Sequence, residues 1–226
     1  MSEIIRTEGL VRDFRSGSTV VHALKNVSIQ LEKGKLTILR GRSGSGKTTL
    51  INLLGALDKP DSGVIQFNGK NITAAGEHTK TQLRRKNMGF VFQSVALISM
   101  MSAYENVEFG LRIAGYDKKK RSERAKECLS LVGLAKRMDH RPQELSGGEQ
   151  QRVAIARAIA HKPDIIFADE PTAELDTHMG LQVVKLFKSL VESEGLTVVM
   201  TTHDPSMIEI ADHVLTLEDG EIADAT

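Results

Sequence analysis

The segment GRSGSGKT at residues 41–48 constrains the fold of this chain more than any other feature. It lies between an apolar run of strand length, LTILR at residues 36–40, and a segment of helical pattern that begins at Lys47. Glycines allow the backbone to wrap closely enough to point several N–H groups at one anion. The start of the following helix adds its positive dipole end. A strand, a glycine-rich loop and a helix in this order predict a layered α/β fold with a phosphate-binding loop.

The loop fills the pattern G-x-x-x-x-G-K-[ST] with Gly41, Gly46, Lys47 and Thr48. In such loops the lysine places its charge at the β- and γ-phosphates of a nucleotide, and the hydroxyl after it is a Mg²⁺ ligand. The pattern therefore predicts a nucleotide site. By itself it does not separate an ATPase from a GTPase or a kinase.

A second apolar run, at residues 165–168, ends in two carboxylates, Asp169 and Glu170, followed by Pro171. Acidic residues at the end of a parallel strand lie at the edge of the sheet where such folds bind ligands. Asp169 suits Mg²⁺ held through water, and Glu170 is placed to orient and deprotonate an attacking water. Proline cannot extend the strand, so the strand is predicted to stop at this site.

Strand-length and helix-length segments alternate along the rest of the chain, which favours the α/β class. Further strands are predicted at 88–92, 196–201 and 213–217, and an antiparallel flank from the first thirty residues and 63–67. Residues 102–160 carry helical patterns, including a helix over 118–132. We expect one domain, 1–226, in which a helical subdomain (94–160) is inserted into an α/β core (1–93 and 161–226).

Composition narrows the classes of partner. The net charge of +1 gives no global attraction to nucleic acid or anionic lipid. The single cysteine, Cys128, excludes an internal disulfide and is expected in the core. No apolar run approaches the ~18–20 residues that span a bilayer. If the protein works at a membrane, we expect another subunit to hold it there.

The second decisive motif is LSGGEQQR at residues 145–152. Ser146 and the glycines after it open a helix whose first turn offers free N–H groups. With the phosphate loop and the acidic pair in the same order, the chain resembles the nucleotide-binding subunit of ABC transporters over nearly its whole length. This resemblance implies a P-loop NTPase core of the RecA-like type, with the antiparallel flank and the inserted helical subdomain.

The resemblance also implies ATP as substrate, Mg²⁺ as cofactor and a role for each matching residue. Phe14 matches the aromatic that stacks on adenine, Gln93 a contact to Mg²⁺ and water, and His203 the switch histidine. The implied catalytic residues are Glu170, His203 and Gln93, and the implied metal ligands are Thr48, Gln93 and Asp169. The implied nucleotide-binding residues are Phe14, Arg42, Ser43, Gly44, Ser45, Gly46, Lys47, Thr48, Thr49, Ser146, Gly147, Gly148, Glu149 and Asp176.

In this family two ATP molecules lie between two head-to-tail copies, so the resemblance implies a second copy of the chain as partner. The segments around the motifs are similar to the lipoprotein-releasing, macrolide-exporting and antimicrobial-peptide-resistance branch. That branch implies a permease with four transmembrane helices per subunit, no nucleic acid partner, and a place on the cytoplasmic face of a bacterial membrane.

Alternatives remain open at this point. An ATPase of cell division is a close relative, and a soluble ABC ATPase that acts on nucleic acid is a second reading. Soluble ABC ATPases that act on nucleic acid carry long coiled-coil insertions between the positions matched by Gln93 and Ser146. In this chain only residues 94–145 lie between those two residues, and they contain no heptad run. In the same region Met100, Met101 and Tyr104 suit either an apolar docking surface or ordinary core packing.

Overall fold

The computed structural model describes residues 2–17 and 19–225, which form two β-sheets with helices packed around them. The strands are β1 (Glu3–Ser16), β2 (Thr19–Val27), β3 (Gln30–Glu32), β4 (Leu36–Arg40), β5 (Ser62–Phe67), β6 (Lys70–Asn71), β7 (Met88–Val91), β8 (Ile165–Ala168), β9 (Thr197–Thr202), β10 (His213–Glu218) and β11 (Glu221–Ala225). The helices are α1 (Lys47–Leu54), α2 (Glu77–Lys86), α3 (Ala103–Ala114), α4 (Arg121–Leu131), α5 (Gly147–Ile159), α6 (Thr177–Glu194) and α7 (Pro205–Ile208). The predicted α/β class is confirmed.

The central sheet has six strands in the order β11-β10-β4-β9-β8-β7, all parallel to their neighbours except β11. Strands β8 and β9 are buried along their whole length, and β4 is buried up to Arg40. Strands covered on both faces are expected to be continuous apolar runs. Because the strands are parallel, the loops after β4, β7, β8 and β9 leave from one edge of the sheet.

The second sheet is antiparallel and has the order β2-β1-β5-β6, with β3 also paired to β1. It confirms the antiparallel flank expected from the N-terminal residues and 63–67. Its hairpin β1–β2 pairs Phe14 with Val21. Further along β2, the carbonyl oxygen of Ala23 lies where a Cβ on Gly46 would stand. The flank therefore rests directly on the glycine-rich loop.

Residues 102–160 contain α3, α4, a 3-10 turn at Pro142–Glu144 and α5, as predicted. The apolar face of α4 is buried, including Cys128. The start predicted for this helix, residue 118, is wrong, since α4 begins at Arg121. The backbone N–H of Lys119 instead donates to the side chain of Asp117 at 3.0 Å. An aspartate that bonds the backbone two residues on favours a turn over a helix.

Two hydrophobic cores lie on opposite faces of the central sheet. One contains the apolar faces of α3–α6, and the other contains α1 and the antiparallel flank. Neighbouring residues of a strand point to opposite faces, so Ile38 belongs to the helical core and Leu39 to the flank core. Packing on both faces of the central sheet thus holds in place the loops that leave its carboxyl edge.

Candidate functional site

The glycine-rich loop, residues 41–46, connects the end of β4 to the start of α1. A Cβ on Gly41 would meet the carbonyl oxygen of Leu217, and Gly46 has φ +105°, a conformation that favours glycine. No side chain of the described residues caps α1. Its first N–H groups therefore remain available to an anion at the helix start.

The loop also presents polar groups that have no partner within the protein. The hydroxyl of Ser45 is buried and accepts or donates no hydrogen bond among the described residues. Such a group in a buried setting indicates a ligand or water partner. Arg42, Ser43 and Gly44 are exposed beside it and line a cleft of about 640 Å³. These features fit the phosphate chain of a nucleotide.

The ammonium group of Lys47 is held inside the loop. Its side chain is 5% exposed, and Nζ donates to the carbonyl oxygens of Gly41 at 2.9 Å and Arg42 at 3.0 Å. The same nitrogen lies 3.9 Å from Oε1 of Glu170. A cation fixed between the loop and a carboxylate is placed where the terminal phosphates of a nucleotide would lie.

Hydroxyl and carboxylate oxygens meet beside this lysine. Oγ1 of Thr48 donates to Oδ1 of Asp169 at 3.2 Å, and Oγ1 of Thr201 donates to the same oxygen at 2.8 Å. Mg²⁺ prefers hard oxygen donors and is commonly held by one or two carboxylates together with substrate phosphates. Thr48 and Asp169 fit that requirement.

Glu170 has an unusual backbone for a residue other than glycine, with φ +44°. Its N–H donates to Oγ1 of Thr201 at 2.7 Å, which supports this conformation. The carboxylate then lies between the ammonium group of Lys47 and the imidazole ring of His203: Oε1 is 3.9 Å from Nζ of Lys47, and Oε2 is 3.9 Å from Nδ1 of His203. His203 follows β9 and its side chain is 67% exposed.

Gln93 lies at the same edge of the sheet. It follows β7, and the N–H of Asp169 donates to the carbonyl oxygen of Val91 at 2.9 Å. Gln93 is exposed, as are Phe92, Ile98 and Met100, the last at 74%. Tyr104, by contrast, packs against the helical core. Of the three residues for which docking and packing were left open, Met100 lies on the surface, Met101 is half-buried and Tyr104 packs against the helical core.

Phe14 is 42% exposed on the hairpin β1–β2, which rests on the glycine-rich loop. The guanidinium carbon of Arg12 lies 4.7 Å from the centroid of its ring. An exposed aromatic ring near a phosphate-binding loop is a suitable platform for a nucleotide base.

The LSGGEQQR residues form a separate group. Ser146 caps α5, with a reciprocal pair of hydrogen bonds to Glu149. These bonds, the backbone N–H of Ser146 first, lower the pKa of Glu149. Gly147 and Gly148 pack near Leu175 and Met179, beside Asp176, which caps α6. Among residues 2–17 and 19–225, no hydrogen bond or ion pair joins this group to the glycine-rich loop.

Sequence reasoning missed two residues that the structure places in the site. Thr201 binds both Asp169 and Glu170, and Arg12 covers one face of Phe14. Thr201 could have been found from the sequence, because it is a polar residue at the end of the buried strand β9. The contact between Arg12 and Phe14 is local, but the carboxylates that hold Arg12, Asp58 and Asp61, lie 46 and 49 residues away and had no local signal.

The family model described as ABC transporter matches residues 24–173. The chain belongs to the ABC transporter family. The macrolide export ATP-binding/permease protein MacB 2 of Yersinia pestis is 45% identical over 97% of the chain. An uncharacterized ABC transporter ATP-binding protein of Methanocaldococcus jannaschii is 41% identical, and the match covers 98% of both chains. The chain spans about a third of the length of the MacB relative, 32%.

Among solved structures, the ABC cassette MJ0796, described as a dimer in a post-hydrolysis state bound to ADP and Pi, is 37% identical. The TM-score is 0.89, and the match covers 99% of this chain and 98% of that one. The present chain is therefore an ATP-binding cassette of the transporter type. Within its described residues, no helix is both long and apolar enough to cross a membrane.

Proposed function

We propose that this ABC cassette hydrolyses ATP and drives a membrane permease, working as a pair of head-to-tail copies. The observation that carries the proposal is the placement of Glu170 between Lys47 and His203, one residue after Asp169. A carboxylate here lies next to the position expected for the terminal phosphate, and the ammonium group of Lys47 offsets part of its charge.

In the proposed reaction, residues 42–46 and Thr49 bind the phosphate chain through the loop and the start of α1. Lys47 withdraws charge from the terminal phosphates, and Phe14 stacks on the base. Thr48, Asp169 and Gln93 would hold Mg²⁺, which when bound offsets phosphate charge.

Glu170 accepts a proton from water as the water oxygen attacks the γ-phosphorus. The bond from that phosphorus to the bridging oxygen breaks, and ADP leaves with the electron pair. His203 donates a hydrogen bond to the γ-phosphate.

The proposal of a pair rests on the separation within one chain. Ser146, Gly147, Gly148 and Glu149 lie at the start of α5, together with Asp176 at the start of α6, apart from the phosphate loop. In the first turn of α5 the N–H of Glu149 donates to Ser146, whereas those of Gly147 and Gly148 have no partner among the described residues and suit an anion. In a head-to-tail pair, each such start would face the terminal phosphate held by the other copy. Residues 94–160 would then act as the helical subdomain that presents it.

The permease partner, its four transmembrane helices per subunit and a position on the cytoplasmic face of a bacterial membrane are further parts of the proposal. The name of the MacB relative, which joins ATP-binding and permease functions, supports the permease partner, and the helix count and position are carried over from the branch that the sequence resembles. The exposed side chains of Phe92, Ile98 and Met100, all within seven residues of Gln93 in the sequence, offer apolar surface to such a partner. From the similarity to the lipoprotein-releasing and macrolide-exporting branch, we also propose that the transporter moves its cargo on the outer side of the membrane.

The test is Glu170→Gln, which keeps the size of the side chain but removes the base. We expect nucleotide affinity to persist while steady-state ATP hydrolysis falls about 100-fold or more. Glu192→Gln, at an exposed position of α6, is the matched control and should hydrolyse ATP at the wild-type rate. Wild-type turnover by Glu170→Gln would remove Glu170 from the role of base.

A further inference from the structure

The side chains of Arg12 and Phe14 form a stacked pair on β1. They are two residues apart on one strand, so their side chains leave the same face. The guanidinium carbon of Arg12 lies 4.7 Å from the centroid of the Phe14 ring, which is within the range of a cation–π interaction. Phe14 is nevertheless 42% exposed, so its ring remains open on the side that Arg12 does not cover.

Arg12 is itself held by two carboxylates from the connection between α1 and β5. Its Nε and Nη2 donate to the two oxygens of Asp58 at 2.9 and 3.1 Å, and Nη1 donates to Asp61 at 3.1 Å. Such a bidentate pair fixes the plane of the guanidinium group. The N–H of Asp13 donates to Asp61 at 2.7 Å, and this bond, with the charge of Arg12, lowers the pKa of Asp61.

These carboxylates connect Arg12 to the helix that begins at the phosphate loop. The N–H groups of Leu57 and Asp58 both donate to the carbonyl oxygen of Asn52, within α1. On the other side, the N–H of Asp61 donates to Val11 of β1. The orientation of Arg12, and through it that of the Phe14 ring, therefore depends on the position of α1 as well as on the hairpin.

The spacing between ring and loop suits a nucleoside. Phe14 pairs with Val21, which is two residues from Ala23, and Ala23 contacts the phosphate loop at Gly46. The register shift at Ala23 marks a β-bulge, so the two residues from Val21 to Ala23 cover at most roughly 7 Å, and the paired strands are about 5 Å apart. A ribose and a base extending from phosphates in the loop can therefore reach the open side of the ring.

We propose that Arg12 is a positioning residue that holds the Phe14 ring so that one face is closed and the other accepts a purine base. The proposal rests on the proposed function, in which nucleotide phosphates bind the loop at Gly41–Thr48. It adds a second layer to base recognition: the clamp by Asp58 and Asp61 sets the plane of Arg12, and Arg12 sets the plane of the ring. A base stacked on a fixed ring loses less affinity to ring motion.

The test compares ADP with inorganic pyrophosphate, both with Mg²⁺, by titration calorimetry on the full chain. Only ADP carries a base, so the ratio of the two affinities isolates stacking from phosphate binding. The variants are Arg12→Met, Phe14→Ala and the double variant. Arg15→Met is the matched control, because Arg15 is the exposed arginine that follows Phe14 on the same strand.

We expect Phe14→Ala to lower ADP affinity about tenfold and Arg12→Met to lower it about three- to fivefold, with pyrophosphate affinity unchanged in both. In the Phe14→Ala background, Arg12→Met should have no further effect. Arg12→Lys keeps the positive charge but lacks the planar guanidinium group that binds Asp58 through two hydrogen bonds. It should bind ADP more tightly than Arg12→Met but less tightly than the wild type. Arg15→Met should match the wild type.

The proposal is overturned if Arg12→Met leaves the ADP-to-pyrophosphate ratio unchanged, or lowers ADP affinity equally with and without Phe14. The first result denies any role in base binding, and the second assigns Arg12 a general structural role. Both differ from failure of the proposed function, in which the wild type would bind neither ADP nor pyrophosphate. A thermal melt of each variant separates these results from loss of folding.

Discussion

At the scale of single residues, the site depends on one hydroxyl group. Oγ1 of Thr201 donates to Asp169 and accepts from the N–H of Glu170, and the side chain is fully buried. It therefore joins the residue proposed to hold Mg²⁺ to the residue proposed as base. It also supports the left-handed backbone of Glu170, which costs of order 1–3 kcal/mol in a residue other than glycine.

Thr201→Val keeps the shape of the side chain and removes both hydrogen bonds. We expect the free energy of unfolding to fall by about 1–3 kcal/mol, because a buried N–H and a carboxylate lose a partner. ATP turnover per folded molecule should fall at least tenfold, since Glu170 is no longer fixed. Urea unfolding and steady-state hydrolysis measure the two effects.

The control for this substitution lies on the same strand. Thr197 is buried at the other end of β9, and its Oγ1 accepts from the N–H of Gly34 at 3.0 Å. Thr197→Val should show a similar loss of stability with unchanged turnover per folded molecule. If both variants lose turnover equally, Thr201 acts through general stability and not through Glu170.

At the scale of elements, α4 illustrates how packing and ionisation are linked. Cys128 lies fully inside the helical core, and burial raises the pKa of its thiol to about 11. With that pKa, about one thiol in a thousand is ionised at pH 8. The reactivity of this cysteine therefore reports on opening of the helical segment.

We expect a thiol-specific reagent at pH 8 to label Cys128 at least 100-fold more slowly in the native protein than in denaturant, because the thiolate is the reactive form. The rate of colour development with a disulfide reagent measures this. Rapid labelling under native conditions would contradict the packing of α4 against α3 and α5.

A second element-scale prediction concerns His161, between α5 and β8, whose Nε2 lies 3.0 Å from the carbonyl oxygen of Met88. Burial lowers the pKa of His161 below its ordinary value of 6.5. The unfolded chain therefore takes up a proton at higher pH than the folded one, and stability falls as the pH drops below about 6.5.

The urea midpoint of the wild type should consequently fall more between pH 7.5 and pH 5.5 than that of His161→Gln. The difference in pH dependence between the wild type and His161→Gln separates the contribution of His161 from those of other titrating groups. His178→Gln, at an exposed position near the start of α6, is the control and should follow the wild type. Parallel pH dependence in all three proteins would rule out a contribution from His161.

At the scale of the whole molecule, the proposed site residues fall into two groups that share no hydrogen bond or ion pair among residues 2–17 and 19–225. One surrounds the phosphate loop and the strand ends, and the other lies where α5 and α6 begin. In the proposed pair, each copy would contribute one of these groups to each nucleotide site. The dimeric MJ0796 cassette, 37% identical to this chain, is described as bound to ADP and Pi.

Ser146→Arg places a long cation at the start of α5, where it would obstruct a second copy. We expect monomer affinity for nucleotide to remain, while ATP-dependent dimers of the Glu170→Gln protein disappear in size-exclusion chromatography. Ser130→Arg, at an exposed position of α4, should leave the dimers intact. Equal turnover per chain at every dilution of the wild type would argue against a shared site.

Much of this molecule could be predicted from its sequence, because several signals are local. The strand before Gly41, the helix after it and the strand that ends at Asp169 follow from apolar runs and punctuation by glycine and proline. The contacts of Arg12 and Thr201 could not be predicted. They join segments that are 46 and 32 residues apart, and only tertiary packing brings them together.

The alternating faces of β4 have one more consequence. Ile38 and Leu39 are covalent neighbours, yet each packs with a different set of side chains. Substitutions more than about 7–10 Å apart that share no partners are expected to have additive effects. Core substitutions among α3–α6 and core substitutions in the antiparallel flank should therefore accumulate largely independently, because the central sheet separates the two sets of side chains.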